Sequence, residues 1–307
     1  DLARIVGAEF LLDDLGKERL VHIMRRQAAF SGIEVVTYCM MSNHFHVLIR
    51  VPVEPSEVTD ATILVRVEAL YGRRSEEAEF LREAIAQGGA IHDGVRARLL
   101  ARMGNVSVFM KEIKQRFSRW YNRGHERFGT LWAERFRSVL VEDGGLAMEA
   151  VAAYIDLNPV RAGIVEDPKD YRFCGYAAAL AGNLLARKGL MSFGEEKAWK
   201  DRAAWYRMRM FVGAGTAHQT GKHALSEKRI DAELRRRGHL NIPEVLRLRV
   251  RHFQDGLALG SRAFVEEVFT EFRQQFGPKR RSGSRPVRAL AHVGLAALRD
   301  LRIRVLG

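Results

Sequence analysis

His44-Phe45-His46 stands at the mouth of an apolar run covering residues 45–51. On an extended strand successive side chains alternate between faces, so both imidazoles aim at one spot while Phe45 faces the other way. Two neutral imidazoles on a common face are the start of a divalent metal site. A lone His-x-His is also an ordinary structural feature of strands, and zinc sites of the carbonic-anhydrase or cupin kind need further His ligands beside it. The second constellation is Tyr154-Ile155-Asp156-Leu157-Asn158. Positions 154 and 158 are neighbours on one face of a helix. A phenol beside an amide reads either as chemistry or as a buried tyrosine hydrogen-bonded to a helix-end asparagine. Pro159 disfavours the α region at Asn158, so the pairing is approximate. Asp156, two residues on, points away from Tyr154 on a helix and reads as solvated.

The elements that must position these residues follow from the pattern around them. Residues 4–10 suggest a first strand, and Asp13 and Asp14 are cap candidates for a helix from about Leu15 to Phe30, stopped by Gly32. Residues 33–40 and 45–51 read as two strands joined by Ser42-Asn43, a hairpin. Residues 52–105 are charged and helical, a helical insertion. A helix capped by Asn105 or Ser107 runs to about Tyr121; residues 132–141 suggest a strand, and residues 145–158 an Ala-rich helix stopped by Pro159. This order predicts an α+β fold, a ferredoxin-like split βαβ antiparallel sheet with helices on one face. Beyond Tyr176 the pattern is helical with no convincing strand, including helices over 198–210, 229–237, 243–253 and 262–276. The expected organisation is a catalytic domain over 1–176, a helical linker region over 177–217 and a mostly helical, basic C-terminal DNA-binding region over 218–307.

The chain has 307 residues, 47% apolar and 28% charged, enough for a substantial core. Cys39 and Cys174 are its two cysteines, too few for a disulfide scaffold or a Cys-rich zinc module. No apolar run reaches the ~18 residues of a membrane span. No start methionine or leader-like segment precedes Asp1, which suggests a trimmed chain, and the expected location is cytoplasmic and nucleoid-associated. The net charge is +13. Residues 109–137 carry eight Lys/Arg against three acids, and residues 271–307 nine against two, so twelve of the thirteen surplus charges sit in two segments. Such localisation favours a polyanion partner, since each neutralised phosphate releases counterions. Lys111, Lys114, Arg116 and Arg119 recur at helical spacing beside Trp120 and Tyr121, and Arg123, Arg127, Arg135 and Arg137 continue the run. These cations would hold a nucleic-acid backbone. Trp120 and Trp132 read more readily as core. Lys279, Arg280, Arg281, Arg285 and Arg288 suggest a flexible arm on duplex DNA, the alternative being a solubilising tail.

Residues 38–49, YCMMSNHFHVLI, resemble the His–hydrophobe–His segment of the single-tyrosine HUH transposases, and more closely their REP-associated tyrosine transposase branch. Phe128-Gly129-Thr130-Leu131-Trp132, Arg135-Phe136 and residues 154–163, YIDLNPVRAG, agree in order and spacing. The resemblance spans roughly residues 4–176. The chain departs from the pattern in lacking a Tyr-His-like pair in its first strand, and in carrying Phe173-Cys174-Gly175 where relatives often show Trp-Ser-Ser. The resemblance implies the HUH endonuclease fold, with one Mg²⁺ or Mn²⁺ held by His44, His46 and Asn158. It implies Tyr154 as the nucleophile that forms a 5′-phosphotyrosine on single-stranded, hairpin-bearing, repeat-derived DNA. Some relatives are homodimers and others monomers. Two other readings compete: a catalytically silent hairpin-binding protein, and a zinc hydrolase built on the two histidines with a third strong ligand.

Overall fold

The computed structural model describes residues 2–4, 12–53, 58–87, 89–214, 256–278, 280–286 and 295–299. The expected helices over 229–237 and 243–253, most of the expected first strand, Lys279 and Arg288 lie outside the described residues. The chain divides into two compact units, one of residues 1–4, 36–48 and 134–307, the other of residues 5–35 and 49–133.

The second of these units is helical. Helix α1 (Asp14–Ser31) is capped by Asp13, whose carboxylate accepts the Gly16 amide at 2.7 Å, and it ends at Gly32 with φ 71°. Only glycine takes that left-handed conformation without steric cost. The helical insertion consists of α2 (Asp60–Tyr71), α3 (Glu76–Ala86) and α4 (Asp93–Leu100), the first two capped by the hydroxyls of Thr59 and Ser75. Phe30 of α1 packs with Ile63, Val67, Leu70, Leu81, Ile91 and Met103 in one core, so the insertion shares the interior of the helix preceding it. Helix α5 (Val106–Gly124) starts at Asn105, whose side chain accepts the Val108 amide at 3.0 Å. Its apolar stripe, Phe109, Met110, Ile113, Phe117 and Tyr121, is buried, and the helix packs along α1. Between them Glu112 accepts from Arg102 at 2.7 and 2.9 Å and from Gln27 at 2.9 Å.

Mostly within the other unit, strands β1 (Leu2–Arg4), β2 (Glu34–Met40) and β3 (His44–Arg50) form a three-stranded sheet in the order β1-β3-β2. Strand β1 runs antiparallel to β3, with Leu2 opposite His46 and Arg4 opposite His44. The two histidines therefore sit on the central strand, where hydrogen bonding on both edges fixes the backbone. The expected fourth strand is absent from this sheet among the described residues. Residues 132–139 are mostly irregular, and only β4 (Leu140–Val141) is a strand; it pairs in parallel with β5 (Gly256–Ser261) in a separate sheet. Trp132 breaks the expected alternation because it is core: its indole donates to the Lys114 carbonyl at 3.0 Å and its ring packs on Phe117.

Helices α6 (Gly145–Asp156), α7 (Asn158–Arg161), α8 (Gly175–Leu180), α9 (Leu184–Met191) and α10 (Trp199–Ala214) complete this side of the unit. Residues 177–214 do not behave as a linker. Tyr206 and Phe211 are buried, and α10 packs on α6 and α9. The C-terminal region also differs from the expectation of a helical segment. Helix α11 (Arg262–Glu271) packs on a second sheet with the order β4-β5-β7-β6, where β6 is Arg285–Pro286 and β7 is Leu295–Arg299. Gly256-Leu-Ala-Leu-Gly-Ser and Leu295-Ala-Ala-Leu-Arg lack both alternation and β-branched residues, so their sequence reads as linker or helix. Ala258, Leu259 and residues 295–298 are nonetheless buried, and a buried strand carries no polar stripe. Nor are residues 280–286 a free arm: Glu266 accepts from Ser282 at 2.6 Å and from the Gly283 and Ser284 amides at 3.0 Å. Those bonds hold its carboxyl down at about 2.

Candidate active site

Strand alternation does what the spacing requires. Phe45 is fully buried on one face, and His44 and His46 share the other with ring centroids 5.0 Å apart, edge to face. His46 is 6% exposed and His44 is half-buried, so the pair runs from interior to rim. His44 Nδ1 lies 2.7 Å from Asn43 Oδ1. An amide oxygen accepts, so this contact favours the Nδ1–H tautomer, in which Nε2 carries the ring's lone pair, as in metal-binding histidines.

Tyr154 comes to the same place from α6. Its ring centroid is 5.9 Å from that of His46, at 89°. The side chain is 3% exposed, and this burial pushes the phenol above its ordinary value while the charge of Arg161 pulls the other way. Asn158 opens α7 one turn later. Pro159 has no N–H, so the Ile155 carbonyl would lack its helical donor. The Asn158 carboxamide supplies one, with Nδ2 3.2 Å from the Ile155 carbonyl and 3.0 Å from that of Tyr154. With the nitrogen committed to the helix, the oxygen is the atom that remains as an acceptor. The two readings of this pair are therefore compatible: the amide both closes the helix end and keeps one hard oxygen donor.

Asp156 corrects the expectation of a solvated carboxylate. It is 0% exposed and accepts from Thr37 at 3.0 Å, the Tyr206 hydroxyl at 2.8 Å and the Tyr176 amide at 3.1 Å. One carboxylate thus ties α6 to β2, α8 and α10. Gly175 makes room for this, since a Cβ there would fall 2.1 Å from the Thr37 hydroxyl. Burial raises the Asp156 carboxyl to about 7, against the opposing hydrogen bonds. An acid whose pKa is raised by folding is stabilising when protonated, and that contribution is lost as pH climbs from its unfolded value toward about 7. The wild type should lose stability relative to Asp156→Asn between about pH 4 and 7, with a constant difference above about pH 8. Denaturant titrations of both proteins across this range check it, and a difference that stays flat throughout would contradict it.

Among the described residues no three His, Cys, Asp or Glu side chains gather as a metal cluster. The zinc-hydrolase reading needed such a third ligand and finds none there. Two imidazoles and one amide oxygen are a different donor set, and their mixed N/O chemistry suits Mn²⁺ or Mg²⁺.

The expected DNA-binding cations divide. Lys111, Arg119, Arg135, Arg281 and Arg285 are exposed, as is Arg137, which pairs with Glu134 at 3.2 Å. Lys114, half-buried with its ammonium 5.6 Å from the Trp132 ring, has its pKa lowered by desolvation. Arg116 is half-buried, 5.1 Å from the Tyr71 ring and 4.0 Å from Glu112. Arg127 is half-buried, and Arg280 lies over Phe276 and donates to the Ser282 and Gly283 carbonyls. Lys114, Arg116 and Arg280 are thus partly spent on the fold. Two residues escape composition-based reading. Phe128 is 95% exposed on a turn where Glu126 has φ 50° and Gly129 φ 91°, held by Asn122 donating to the Gly129 carbonyl at 2.9 Å. Its signal was an aromatic between Arg127 and Gly129 in a loop. Arg161 stacks on Tyr154, with its guanidinium carbon 4.8 Å from the ring centroid; its signal was a seven-residue spacing, obscured by the proline between.

No family model, curated protein or solved structure matches this chain.

Proposed function

We propose that the protein is a metal-dependent, single-strand-specific DNA endonuclease and strand transferase of the single-tyrosine HUH transposase kind, acting on hairpin-bearing DNA through a 5′-phosphotyrosine. The observation that carries this reading is the run of rings His44–His46–Tyr154, at 5.0 and 5.9 Å, with Asn158 one turn beyond the phenol. The resemblance implied these four residues, and they come from two segments more than a hundred positions apart.

His44 Nε2, His46 and Asn158 Oδ1 would hold one Mg²⁺ or Mn²⁺, which supplies a Lewis acid to polarise a phosphoryl oxygen. Tyr154 attacks phosphorus; its oxygen forms the new O–P bond, the bond to the upstream 3′ oxygen breaks, and that oxygen leaves as a 3′-hydroxyl with a proton. The 5′ end stays on the enzyme, and because the phosphodiester energy is retained, a second 3′-hydroxyl can reverse the step and join a new strand. Asp156 is not the base for the phenol proton, since its oxygens face Thr37, Tyr206 and Tyr176. A phosphodiester must displace part of the cover over Tyr154 to reach it.

That cover favours a second reading, a silent hairpin-binding protein whose tyrosine is structural. The two separate on one gel. Labelled single-stranded hairpins from the host DNA flanking the gene should yield a denaturation-resistant protein–DNA adduct in Mn²⁺ and none in EDTA. Binding that persists in EDTA, with no adduct in Mn²⁺, supports the silent reading instead.

Phe128 enters this proposal as a base-stacking residue beside the Arg127 and Arg123 cations. Such a contact is worth about 1–3 kcal/mol per base. Phe128→Ala should weaken binding of a single-stranded oligonucleotide by that amount in a fluorescence-anisotropy titration, with duplex affinity and melting temperature unchanged. Equal single-strand affinity would remove it from the interface.

A further inference from the structure

Arg161 is a half-buried cation with no carboxylate partner among the described residues. Arg102, Arg202, Arg207 and Arg209 each pair with a carboxylate, respectively Glu112, Glu196, Asp167 and Glu149. Arg161 pairs with none among the described residues, and its Nη1 is buried with no hydrogen-bond partner. A guanidinium carries five donors and cannot shed its charge, so leaving one desolvated and unmatched is costly. The fold nevertheless fixes it in place. The Arg161 amide bonds the Leu157 carbonyl at 3.0 Å, and Gly163 ends the turn with φ 69°. The side chain is laid against the Tyr154 ring at 4.8 Å, and that ring also meets His46.

We propose that Arg161 is a catalytic residue whose free guanidinium N–H groups bind a non-bridging oxygen of the scissile phosphodiester and stabilise the charge developing as Tyr154 attacks. A phosphate is the chemistry that completes this arginine: it brings the missing negative charge and planar acceptor pairs that match the guanidinium fork. Preorganised donors of this kind, in a water-poor site, are worth more than they are in solvent. This inference rests on the strand-transfer reading for its substrate, but the anion site itself does not.

The test therefore uses two readouts on the full chain. In a ³¹P NMR titration with inorganic phosphate, Arg161→Ala should weaken binding by about 10–100-fold while Tyr154→Phe retains it. In the adduct assay with hairpin DNA and Mn²⁺, Arg161→Ala should slow adduct formation on the order of 10²-fold, and added guanidinium chloride at non-denaturing concentration should restore part of the rate. A strut holding Tyr154 by stacking alone would give neither the phosphate dependence nor the rescue. Arg161→Gln substitutes if the Ala variant fails to fold. Phosphate binding equal in wild type and variant overturns the proposal, whatever the adduct rate. A wild type that forms no adduct but whose phosphate site needs Arg161 overturns the strand-transfer reading and leaves the anion site standing.

Discussion

Tyr154→Phe is expected to abolish both cleavage of hairpin DNA and the covalent adduct, a loss on the order of 10⁴–10⁶ in rate, as when the nucleophile is removed from a covalent catalyst. The change deletes one oxygen. The ring that meets His46 and Arg161 remains, so the helix and its neighbours keep their packing and DNA affinity should be unaltered. That separation of binding from chemistry makes the variant informative: weakened binding together with lost cleavage would point to a structural tyrosine. An adduct that survives the substitution refutes the assignment directly, and peptide mapping of that adduct would identify the residue used instead.

The second large effect concerns the histidines. His46→Gln should remove metal-dependent cleavage by on the order of 10²–10³, because a divalent cation contributes several kcal/mol of charge stabilisation and His46 is the buried member of the pair. His44→Gln, at the rim, should be partly restored by raising Mn²⁺, whereas His46→Gln should not. Gln preserves much of the side-chain volume, and a melting curve separates lost metal affinity from lost fold. If both variants cleave at the wild-type rate in millimolar Mn²⁺ and in EDTA alike, the histidines hold no catalytic metal.

How much of this was legible in the sequence depends on the range of the interaction concerned. His44-Phe45-His46 was legible because strand alternation is strict and needs only nearest neighbours. The caps at Asp13 and Asn105 and the stop at Gly32 were legible for the same reason. Asp156 was not. Its environment comes from Thr37, 119 positions upstream, and Tyr206, 50 downstream, and helix geometry alone says only that it points away from Tyr154. The strands Gly256–Ser261 and Leu295–Arg299 were hidden by Gly, Ala and Leu, residues that bury well as strands but advertise linkers and helices. The opening sheet has three described strands and β4 lies with β5; of the residues expected to continue that sheet, Trp132 packs instead on Phe117 of α5. Arg161 was hidden by Pro159, which breaks the helical count linking it to Tyr154, even though the chain resumes its turn one residue earlier at Asn158.

The most direct test is an anomalous difference map from crystals soaked in Mn²⁺. The account predicts a single strong peak bound by His44 Nε2, a His46 ring nitrogen and Asn158 Oδ1, on the same side of the sheet as the Tyr154 hydroxyl. A map with no peak at those rings, or with manganese held elsewhere and Tyr154 out of its reach, would contradict it.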